Sequence, residues 1–314
     1  MGNETTEMCA EKAAITAAID YNRAEPCIVR ETAHWAVVYK PPHLPTAPLR
    51  ADECNTLVYW FLHRAKAKEN APSDGISDGM QTDALLDATQ IDAQEPAIEY
   101  GLRSREARVH GKKEIEAGLL HRLDTDTRGL VLFAKDQAVY DFLAARQEAG
   151  QMIKTYCAFV EPCRLDAAVN RMAAVESQFR NFGPGAKRVA PVFPGSRHYK
   201  KDGRLYTTVI EAVDMLPFSI GGNDTVPQTA CESRPSPPVI RVYCRLSRGY
   251  RHQVRAHLAA AGLPIAGDPL YAPQGAEAPP VSLQLYAVSL EFPDPENPQQ
   301  NIRIALPPPD KMNP

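Results

Sequence analysis

Residues 121–128 of this 314-residue chain hold seven side chains that ionise or form hydrogen bonds. They run directly into residues 129–134, Gly-Leu-Val-Leu-Phe-Ala, whose apolar character predicts a buried strand. Asp124 is therefore expected at the mouth of a rigid core strand, a favourable place for a reactive group. Beside the cations of Arg122 and Arg128 its carboxylate stays ionised and could act as a nucleophile or general base. The alternative is a capped turn that braces the strand.

A second group of candidates is a run of arginines without any acid between residues 241 and 257. Arg251 and Arg255 are four residues apart, so we expect them on one face of a helix, with His252 adjacent. Like charges at this spacing disfavour a helix unless an anion compensates them. A phosphate group or a buried carboxylate would supply that anion, and a solvated basic face is the alternative.

A third candidate pair is Lys154 and Tyr156, which share one side of a predicted strand. A tyrosine in this position is commonly part of the core, which is the alternative to a role in chemistry. Metal ligation is not predicted, because arginines crowd the histidines and aspartates at 121–126 and 252–257, and no His-x-x-x-His or Cys-x-x-Cys pair is present. Nor does the chain contain a phosphate-binding or dinucleotide-binding glycine motif, so no nucleotide cofactor is expected.

The elements that must position these residues follow from the apolar periodicity. Strands are predicted at residues 34–40, 129–134, 153–160, 204–213, 239–246 and 283–292. Helices are predicted at residues 55–64, 136–150 and 251–261, and the Ala-rich segment 10–20 has helical character. Because strands outnumber helices and the connections vary, the pattern favours a mixed α+β fold.

Composition bounds the class of protein. The net charge of −3 excludes a uniformly basic protein but allows a local basic surface. Seven scattered cysteines without a paired spacing indicate reduced thiols. The N-terminus is polar and acidic, unlike a signal peptide, and no window approaches 18 apolar residues. We therefore expect a cytoplasmic protein without a membrane segment.

Charge reverses sharply in the middle of the chain. Residues 70–100 contain seven acids and no Lys or Arg, whereas residues 103–113 contain five basic residues. We interpret residues 66–115 as an insertion. Its charges either neutralise each other on a solvated surface or include a contact to a polyanion, and we expect the acidic part to lie away from Asp124.

Several motifs, in order, resemble the RluA-type RNA pseudouridine synthases. Residues 121–135 are similar to the catalytic motif of that family, and residues 154–158, Lys-Thr-Tyr-Cys-Ala, to the next. Residues 252–258, His-Gln-Val-Arg-Ala-His-Leu, together with residues 262–271, resemble the third. Residues 38–42 look like the opening strand, and residues 283–295 like the closing one. The resemblance covers roughly residues 34–64 and 118–295.

The resemblance implies a pseudouridine synthase fold, with a mixed, largely antiparallel bent sheet flanked by helices and loops. Residues 1–30 would be an N-terminal extension without an RNA-binding S4 domain, and residues 31–314 the catalytic domain. The implied catalytic residues are Asp124, Tyr156 and Arg255. The implied substrate contacts are His121, Arg122, Thr127, Arg128, Lys154, Arg251, His252 and Gln253.

Two departures from the family pattern stand out. Arg128 occupies a position where the family usually has serine. Gly249-Tyr250-Arg251 replaces the usual Gly-Arg-Thr, so that Arg251 lies one residue beyond the displaced arginine. These departures bear on the choice of substrate more than on the chemistry.

The implied activity is isomerisation of specific uridines in structured ribosomal or transfer RNA to pseudouridine, without metal or cofactor, by a monomer. Asp124 would attack C1′ or remove a proton at C2′, Arg255 would pair with Asp124, and Tyr156 would lie against the base. Two rival interpretations are a non-catalytic RNA-binding protein on the same scaffold and a hydrolase that uses Asp124 and Asp126.

Overall fold

The computed structural model describes residues 15–16, 18–69, 109–161, 174–216, 239–272 and 281–313. The acidic segment 70–100 and most of the predicted insertion lie outside these residues. The expectation that the acidic segment lies away from Asp124 therefore also concerns residues outside the described ranges. Within the described ranges the chain forms one sheet of eleven strands with three α-helices and two short 3-10 helices.

The strands, numbered in chain order, are β1 Ile15–Thr16, β2 Cys27–Glu31, β3 Trp35–Lys40, β4 Arg128–Ala134, β5 Ile153–Val160, β6 Val175–Phe182, β7 Arg188–Val192, β8 Tyr206–Leu216, β9 Val239–Leu246, β10 Leu285–Pro293 and β11 Asn301–Ala305. The main path through the sheet is β2-β3-β4-β10-β5-β9-β8-β6-β7, and β11 joins β10 to β1. Only the β4–β10 and β1–β11 pairs of these described strands are parallel. The predicted mixed, largely antiparallel α+β fold is therefore confirmed.

The helices are α1 Leu57–Glu69, α2 Gln137–Glu148 and α3 Gln253–Ala260, and the 3-10 helices are Glu114–Glu116 and Pro184–Ala186. Asp136 caps α2, because its Oδ1 accepts a hydrogen bond from the Val139 amide at 2.9 Å. Thr56 caps α1 in the same way through the Tyr59 amide at 3.1 Å. No helix of the described ranges is long and apolar enough to cross a membrane.

The two faces of the sheet carry separate apolar cores, and strand alternation decides which residue joins which core. On β5, Tyr156 and Ala158 join the core that α1 and α3 cover. Cys157 and Phe159 join the opposite core, to which α2 contributes the fully buried Leu143. The candidate residues Lys154 and Tyr156 thus lie on the face covered by α1 and α3, as the alternation of the strand predicted.

Gly129 explains how β4 approaches β10 so closely. Its φ is +127°, and a Cβ at this position would overlap the backbone carbonyl of Ala287. Tyr286 and Ala287 of β10 pair with Arg128 and Gly129. A larger side chain would separate the two strands directly after the loop that carries Asp124.

The expected boundary after residue 30 is wrong. Residue 30 lies inside β2, which pairs antiparallel with β3, so the boundary would cut a strand of the sheet. Tyr21 is buried and donates a hydrogen bond to the Pro307 carbonyl at 2.7 Å. The helical character expected at 10–20 fails where the structure describes it, because residues 15–16 form a strand against β11. Pairing of residues 15–16 with the distant strand β11 overrides their local preference.

Candidate active site

Asp124 lies in a loop whose backbone is fixed from two directions. Thr46 Oγ1 donates to the Leu123 carbonyl at 2.7 Å and accepts from the Leu123 amide at 3.2 Å. On the other side, Lys40 Nζ donates to the Thr125 carbonyl at 2.8 Å. Because both neighbours of Asp124 are anchored to buried residues, its carboxylate projects from a rigid backbone.

Lys40 organises this loop through three hydrogen bonds. Its buried ammonium also donates to the carbonyls of Pro41 and Leu44, at 2.8 and 2.7 Å. Burial lowers the pKa of Lys40 to about 7, although the charges of Asp126 and Asp124 oppose this shift. The lysine thus joins the loop after β3 to the loop before β4 and supports the site without facing solvent.

Arg255 is the centre of the charged network at the site. Its NH1 lies 3.1 Å from Asp124 Oδ2, while Nε and NH2 bind Asp268 at 2.8 and 2.7 Å. Burial alone would lower the pKa of Arg255, but hydrogen bonds and charge from Asp268, and then from Asp124, raise it above its ordinary value. The guanidinium is therefore a permanent cation that holds one carboxylate on each side.

The two carboxylates differ in exposure. The Asp268 side chain is fully buried, whereas the Asp124 side chain is 25% exposed. Asp268 Oδ1 also accepts hydrogen bonds from the amides of Leu270 and Tyr271 at 2.9 and 3.2 Å. Asp268 therefore anchors Arg255, and Asp124 is the carboxylate that a substrate can reach.

Asp268 lies within residues 262–271, which resemble a family motif, but it was not predicted as a site residue. Two signals pointed to it: the glycine before it, and the need for a buried anion near Arg255. Gly267 has a φ of +70°, and a Cβ there would overlap the Ser282 carbonyl, so the turn requires glycine. The compensating anion for Arg255 is thus a pair of carboxylates from the chain itself.

Tyr156 lies on β5 and interacts with the charge of Asp124. Burial raises the pKa of the Tyr156 hydroxyl, and the negative charge of Asp124 raises it further. The phenol is therefore neutral at physiological pH. It combines an apolar ring with a hydroxyl that remains protonated, and the residue is 9% exposed.

His252 completes the group around Asp124. It immediately precedes α3 in a left-handed conformation, with a φ of +55°. Its Nε2 is 3.8 Å from Asp124 Oδ2, and its Nδ1 is 3.2 Å from the hydroxyl of Tyr271. Burial lowers the pKa of His252, while Asp124 opposes the shift. The strained backbone aims the imidazole at the carboxylate instead of into the helix.

Arg128 does not face this site. Its side chain is 1% exposed on the opposite face of β4, where NH1 donates to the Tyr21 carbonyl at 3.3 Å and NH2 to Ser282 Oγ at 2.5 Å. Its guanidinium also lies 5.3 Å from the ring centre of Tyr286. The expectation that Arg128 contacts substrate is corrected by strand alternation, and the residue instead anchors the segment around Tyr21.

Other expected substrate contacts are also engaged inside the protein. His121 Nε2 accepts a hydrogen bond from the Leu132 amide at 3.3 Å, and burial, followed by the charge of Lys154, lowers its pKa. Gln253 binds the Tyr250 amide, the Thr207 carbonyl and Thr208 Oγ1. The structure therefore corrects His121 and Gln253 to supporting residues.

Lys154 and Thr127 lie within the support of the site as well. Lys154 is 5% exposed, and burial lowers its pKa to about 8. Thr127 is 2% exposed, and its amide donates to the Asp124 carbonyl at 3.1 Å. Thr127 thus closes the turn that presents Asp124, and no atom of either residue is openly presented to a substrate.

Arg122 and Arg251 are the exposed arginines near the site. The Arg122 side chain is 48% exposed, with NH1 3.6 Å from Glu116. Arg251 precedes α3, so the expectation that it shares a helix face with Arg255 is wrong. Its NH2 instead donates to the Ala186 carbonyl at 2.5 Å.

Asp126 is separate from the Arg255 network. Its Oδ1 lies 3.0 Å from His43 Nδ1, and its side chain is 37% exposed. Asp124 and Asp126 therefore have different partners, and of these two aspartates Asp124 is the one that contacts the buried Arg255.

Comparisons with known proteins give a consistent result. A family model described as RNA pseudouridylate synthase matches residues 34–260, more than half of the chain. The rice protein named RNA pseudouridine synthase 2, chloroplastic, is 28% identical over 267 residues, which cover 79% of this chain and 51% of that one. The Pseudomonas aeruginosa protein named ribosomal large subunit pseudouridine synthase D is 25% identical over 181 residues, covering 56% and 45%.

A similar fold occurs in a solved human structure. Human RNA pseudouridylate synthase domain containing 1 superposes with a TM-score of 0.54 at 17% identity, over 90% of this chain and 83% of that one. At this identity the likeness establishes the fold. The matched region spans about half of the length of the rice and Pseudomonas relatives.

Proposed function

The chain belongs to the RNA pseudouridylate synthase family, and on this premise we propose that it isomerises uridine in RNA to pseudouridine. In this reaction the uracil leaves C1′, turns, and rejoins the same ribose through C5, so no atom is gained from a co-substrate. The observation that carries the proposal is the reachable Asp124 carboxylate held by the buried Arg255–Asp268 pair. The proposed reaction uses no metal or cofactor.

Asp124 is the proposed reacting group. Its contact with the Arg255 guanidinium holds the carboxylate in place, and its partial exposure leaves it open to a ribose. The carboxylate reacts either by attack at C1′ or by removal of the C2′ proton. Both routes require the same ionised oxygen in a fixed position, which the anchored loop supplies.

Arg255 and Asp268 act as positioning residues in this proposal. Since Asp268 occupies two nitrogens of the guanidinium, the third is directed at Asp124. A preorganised pair needs little rearrangement when the charge on Asp124 changes during the reaction.

Tyr156 is proposed to lie against the extruded base. Its ring offers an apolar surface, and its raised pKa keeps the phenol protonated beside Asp124. The hydroxyl therefore takes part in loss of the C5 proton as a hydrogen-bonded relay and not as a phenolate. His252, 3.8 Å from Asp124, is the proposed polar contact to the same nucleotide.

The proposed substrate is a uridine in structured RNA whose base can leave its stack, as in a loop or bulge. Arg122 is the exposed cation proposed to meet the RNA beside Asp124. Ribosomal RNA is the first substrate to assay, because the Pseudomonas relative is named for the large ribosomal subunit; transfer RNA is the second. We further propose that the protein acts as a monomer and that it works in the cytoplasm; the free cysteines of the described ranges support the second proposal.

Pseudouridine mapping tests this proposal. Cellular RNA would be compared between cells with the protein, cells without it, and cells carrying Asp124→Asn or the matched control Asp126→Asn. We expect at least one pseudouridine to vanish without the protein and with Asp124→Asn, and to persist with Asp126→Asn. Unchanged pseudouridine at every site would refute the synthase function and leave the non-catalytic RNA-binding protein. Equal loss with both variants would refute the distinction between the two aspartates.

A further inference from the structure

Strands β6 and β7 form a hairpin, here called the basic hairpin, at the end of the sheet path opposite β2. Between residues 180 and 204, this hairpin and the segment after it contain one acid, Asp202. They contain seven cationic side chains: Arg180, Lys187, Arg188, Arg197, Lys200, Lys201 and Arg204. The strong local positive charge on a chain of net charge −3 calls for a polyanionic partner.

An exposed aromatic ring on this hairpin contacts two arginines. Phe182 is 41% exposed, and the guanidinium carbons of Arg180 and Arg188 lie 5.2 and 5.0 Å from its ring centre. The arrangement follows from the register, because Phe182 pairs with Arg188 across the hairpin and Arg180 is two residues earlier on the same side. Among the described residues, neither arginine has a carboxylate within 4.0 Å. We call these three residues the stacking ladder.

The ladder is joined to the Asp124 network by hydrogen bonds. Arg188 NH1 donates to the Leu270 carbonyl at 3.2 Å, and the Tyr271 hydroxyl both accepts from the Val189 amide and donates to its carbonyl. The amides of Leu270 and Tyr271 in turn bind Asp268, which binds Arg255. The same short segment therefore positions Arg255 and the basic hairpin.

Arg251 holds the hairpin from a second direction. Its NH2 donates to the Ala186 carbonyl at 2.5 Å, to Asn181 Oδ1 at 3.2 Å and to the Arg188 carbonyl at 3.2 Å. The neighbouring Tyr250 stacks on Phe179 of β6, with ring centres 4.8 Å apart and planes 5° apart. The two residues that replace the usual family pattern thus fasten the hairpin beside the site.

We propose that the stacking ladder binds an unpaired nucleotide of the substrate RNA next to the uridine held at Asp124. The inference rests on the proposed function and identifies a second point of contact for the same RNA. A nucleobase stacks on the ring and on the guanidinium planes, and the flanking phosphates bind the arginine N–H groups. Such contacts suit single-stranded RNA of any sequence, because every base has a π face.

The ladder favours RNA over an acidic peptide. A run of carboxylates would use the charges of Arg180 and Arg188 but would leave the exposed face of Phe182 without a matching flat partner. A nucleotide satisfies the aromatic and the cationic groups together. The ladder also lies beside the Asp124 network, where the proposed substrate is RNA, and this position likewise favours RNA over a peptide.

The test uses the full chain and three labelled or competing probes: a single-stranded oligouridine, an RNA duplex of equal length, and polyglutamate. Phe182→Leu keeps the apolar bulk and removes the π face, whereas Phe182→Trp restores stacking. Phe193→Leu is the matched control, since Phe193 is similarly exposed at 40%. We expect Phe182→Leu to weaken oligouridine binding about fivefold or more, with Phe182→Trp and Phe193→Leu within twofold of the unchanged protein.

Salt dependence separates the ring from the charges. Arg180→Gln should reduce the slope of log affinity against log salt by about 0.7, the value for one phosphate contact to a single strand. Phe182→Leu should leave that slope unchanged. Arg303→Gln, on the exposed side of β11 away from the hairpin, is the charge control and should change neither affinity nor slope.

Three outcomes would overturn the ladder. The first is an equal loss of oligouridine affinity in Phe182→Leu and Phe193→Leu. The second is binding of the RNA duplex as tightly as oligouridine. The third is displacement of labelled oligouridine by polyglutamate as effectively as by unlabelled oligouridine. If oligouridine binding is insensitive to Phe182 while pseudouridine mapping shows dependence on Asp124, the ladder fails and the synthase function stands. If the mapping fails while the Phe182 pattern holds, the chain binds single-stranded RNA without isomerising it.

Discussion

The replacement Asp268→Asn tests the buried network most directly at the level of stability. Asparagine preserves the size of the side chain and one oxygen, but it removes the charge and turns an N–H group towards Arg255 Nε. In the unsubstituted protein, Arg255 Nε donates to Asp268 Oδ2 at 2.8 Å. Arg255 is 3% exposed, so the loss of one counterion leaves a partly uncompensated buried cation.

The expected magnitude follows from that burial. Breaking a buried ion pair by removing one partner costs about 3–5 kcal/mol. Asp126→Asn makes the same chemical change at an exposed carboxylate whose ion-pair partner is His43. A surface pair of that kind contributes roughly 0–1 kcal/mol. The two aspartates should therefore differ by several-fold in their effect on the free energy of unfolding.

Urea unfolding, followed by the fluorescence of Trp35 and Trp60, measures both variants at pH 7. A double-mutant cycle with Arg255→Met adds an internal control. Removing the cation relieves the unpaired charge, so the double variant should be less destabilised than the sum of the singles by about 1–3 kcal/mol. A small effect of Asp268→Asn, equal to that of Asp126→Asn, or strictly additive effects in the cycle, would refute the reasoning.

Asp268→Asn should also separate catalysis from binding. Asp268 is fully buried, and asparagine keeps the oxygen that accepts from the Leu270 and Tyr271 amides, so the variant should act on the substrate through Arg255 and Asp124. Misplacing Asp124 should lower kcat by roughly 100-fold, while KM for RNA changes little. A rise in KM with unchanged kcat would show that the network binds RNA and does not aim the carboxylate.

Three further predictions concern buried polar side chains. Arg128→Ser installs the residue usual in the family and should lower the free energy of unfolding by about 2–4 kcal/mol without changing KM for RNA. Urea unfolding and RNA titration would measure the two effects. A raised KM with unchanged stability would contradict the buried placement of Arg128. Lys40→Met leaves three carbonyls without their donor, so urea unfolding should show a loss of at least about 3 kcal/mol and kcat should fall, whereas unaltered kcat would exclude a role in aiming Asp124. Burial lowers the pKa of His257 from 6.5 to about 4, so its stability contribution is complete above pH 6.5 and is lost towards pH 4, by roughly 3 kcal/mol; His257→Gln should flatten this pH dependence of unfolding, and identical curves would refute it.

Much of the fold was predictable because its strands are locally explicit. The strands at 35–40, 153–160 and 239–246 agree with their predicted bounds within a residue or two, since apolar runs ended by prolines, charges or turns define them. The N-terminal segment was not predictable in the same way. Its strands depend on pairing with β3 and β11, the latter nearly 290 residues away, and local composition does not encode a partner.

The site divides along a similar line. Asp124, Tyr156 and Arg255 were identified from ordered motifs, and the structure brings Asp124 and Arg255 into contact. The error at Arg128 came from counting its charge with the catalytic loop, although it is the first residue of β4 and faces the opposite core. Asp268 was not singled out because its importance arises from a bidentate contact across a turn.

One measurement tests the central claim most directly: release of tritium from RNA labelled at C5 of uridine. Replacing C5–H by the new C1′–C5 bond frees one proton for each pseudouridine formed. Unchanged protein and Asp126→Asn should release tritium from ribosomal or transfer RNA, while Asp124→Asn should release none above background. Release by Asp124→Asn at the rate of the unchanged protein would contradict the assignment of this carboxylate as the reacting group.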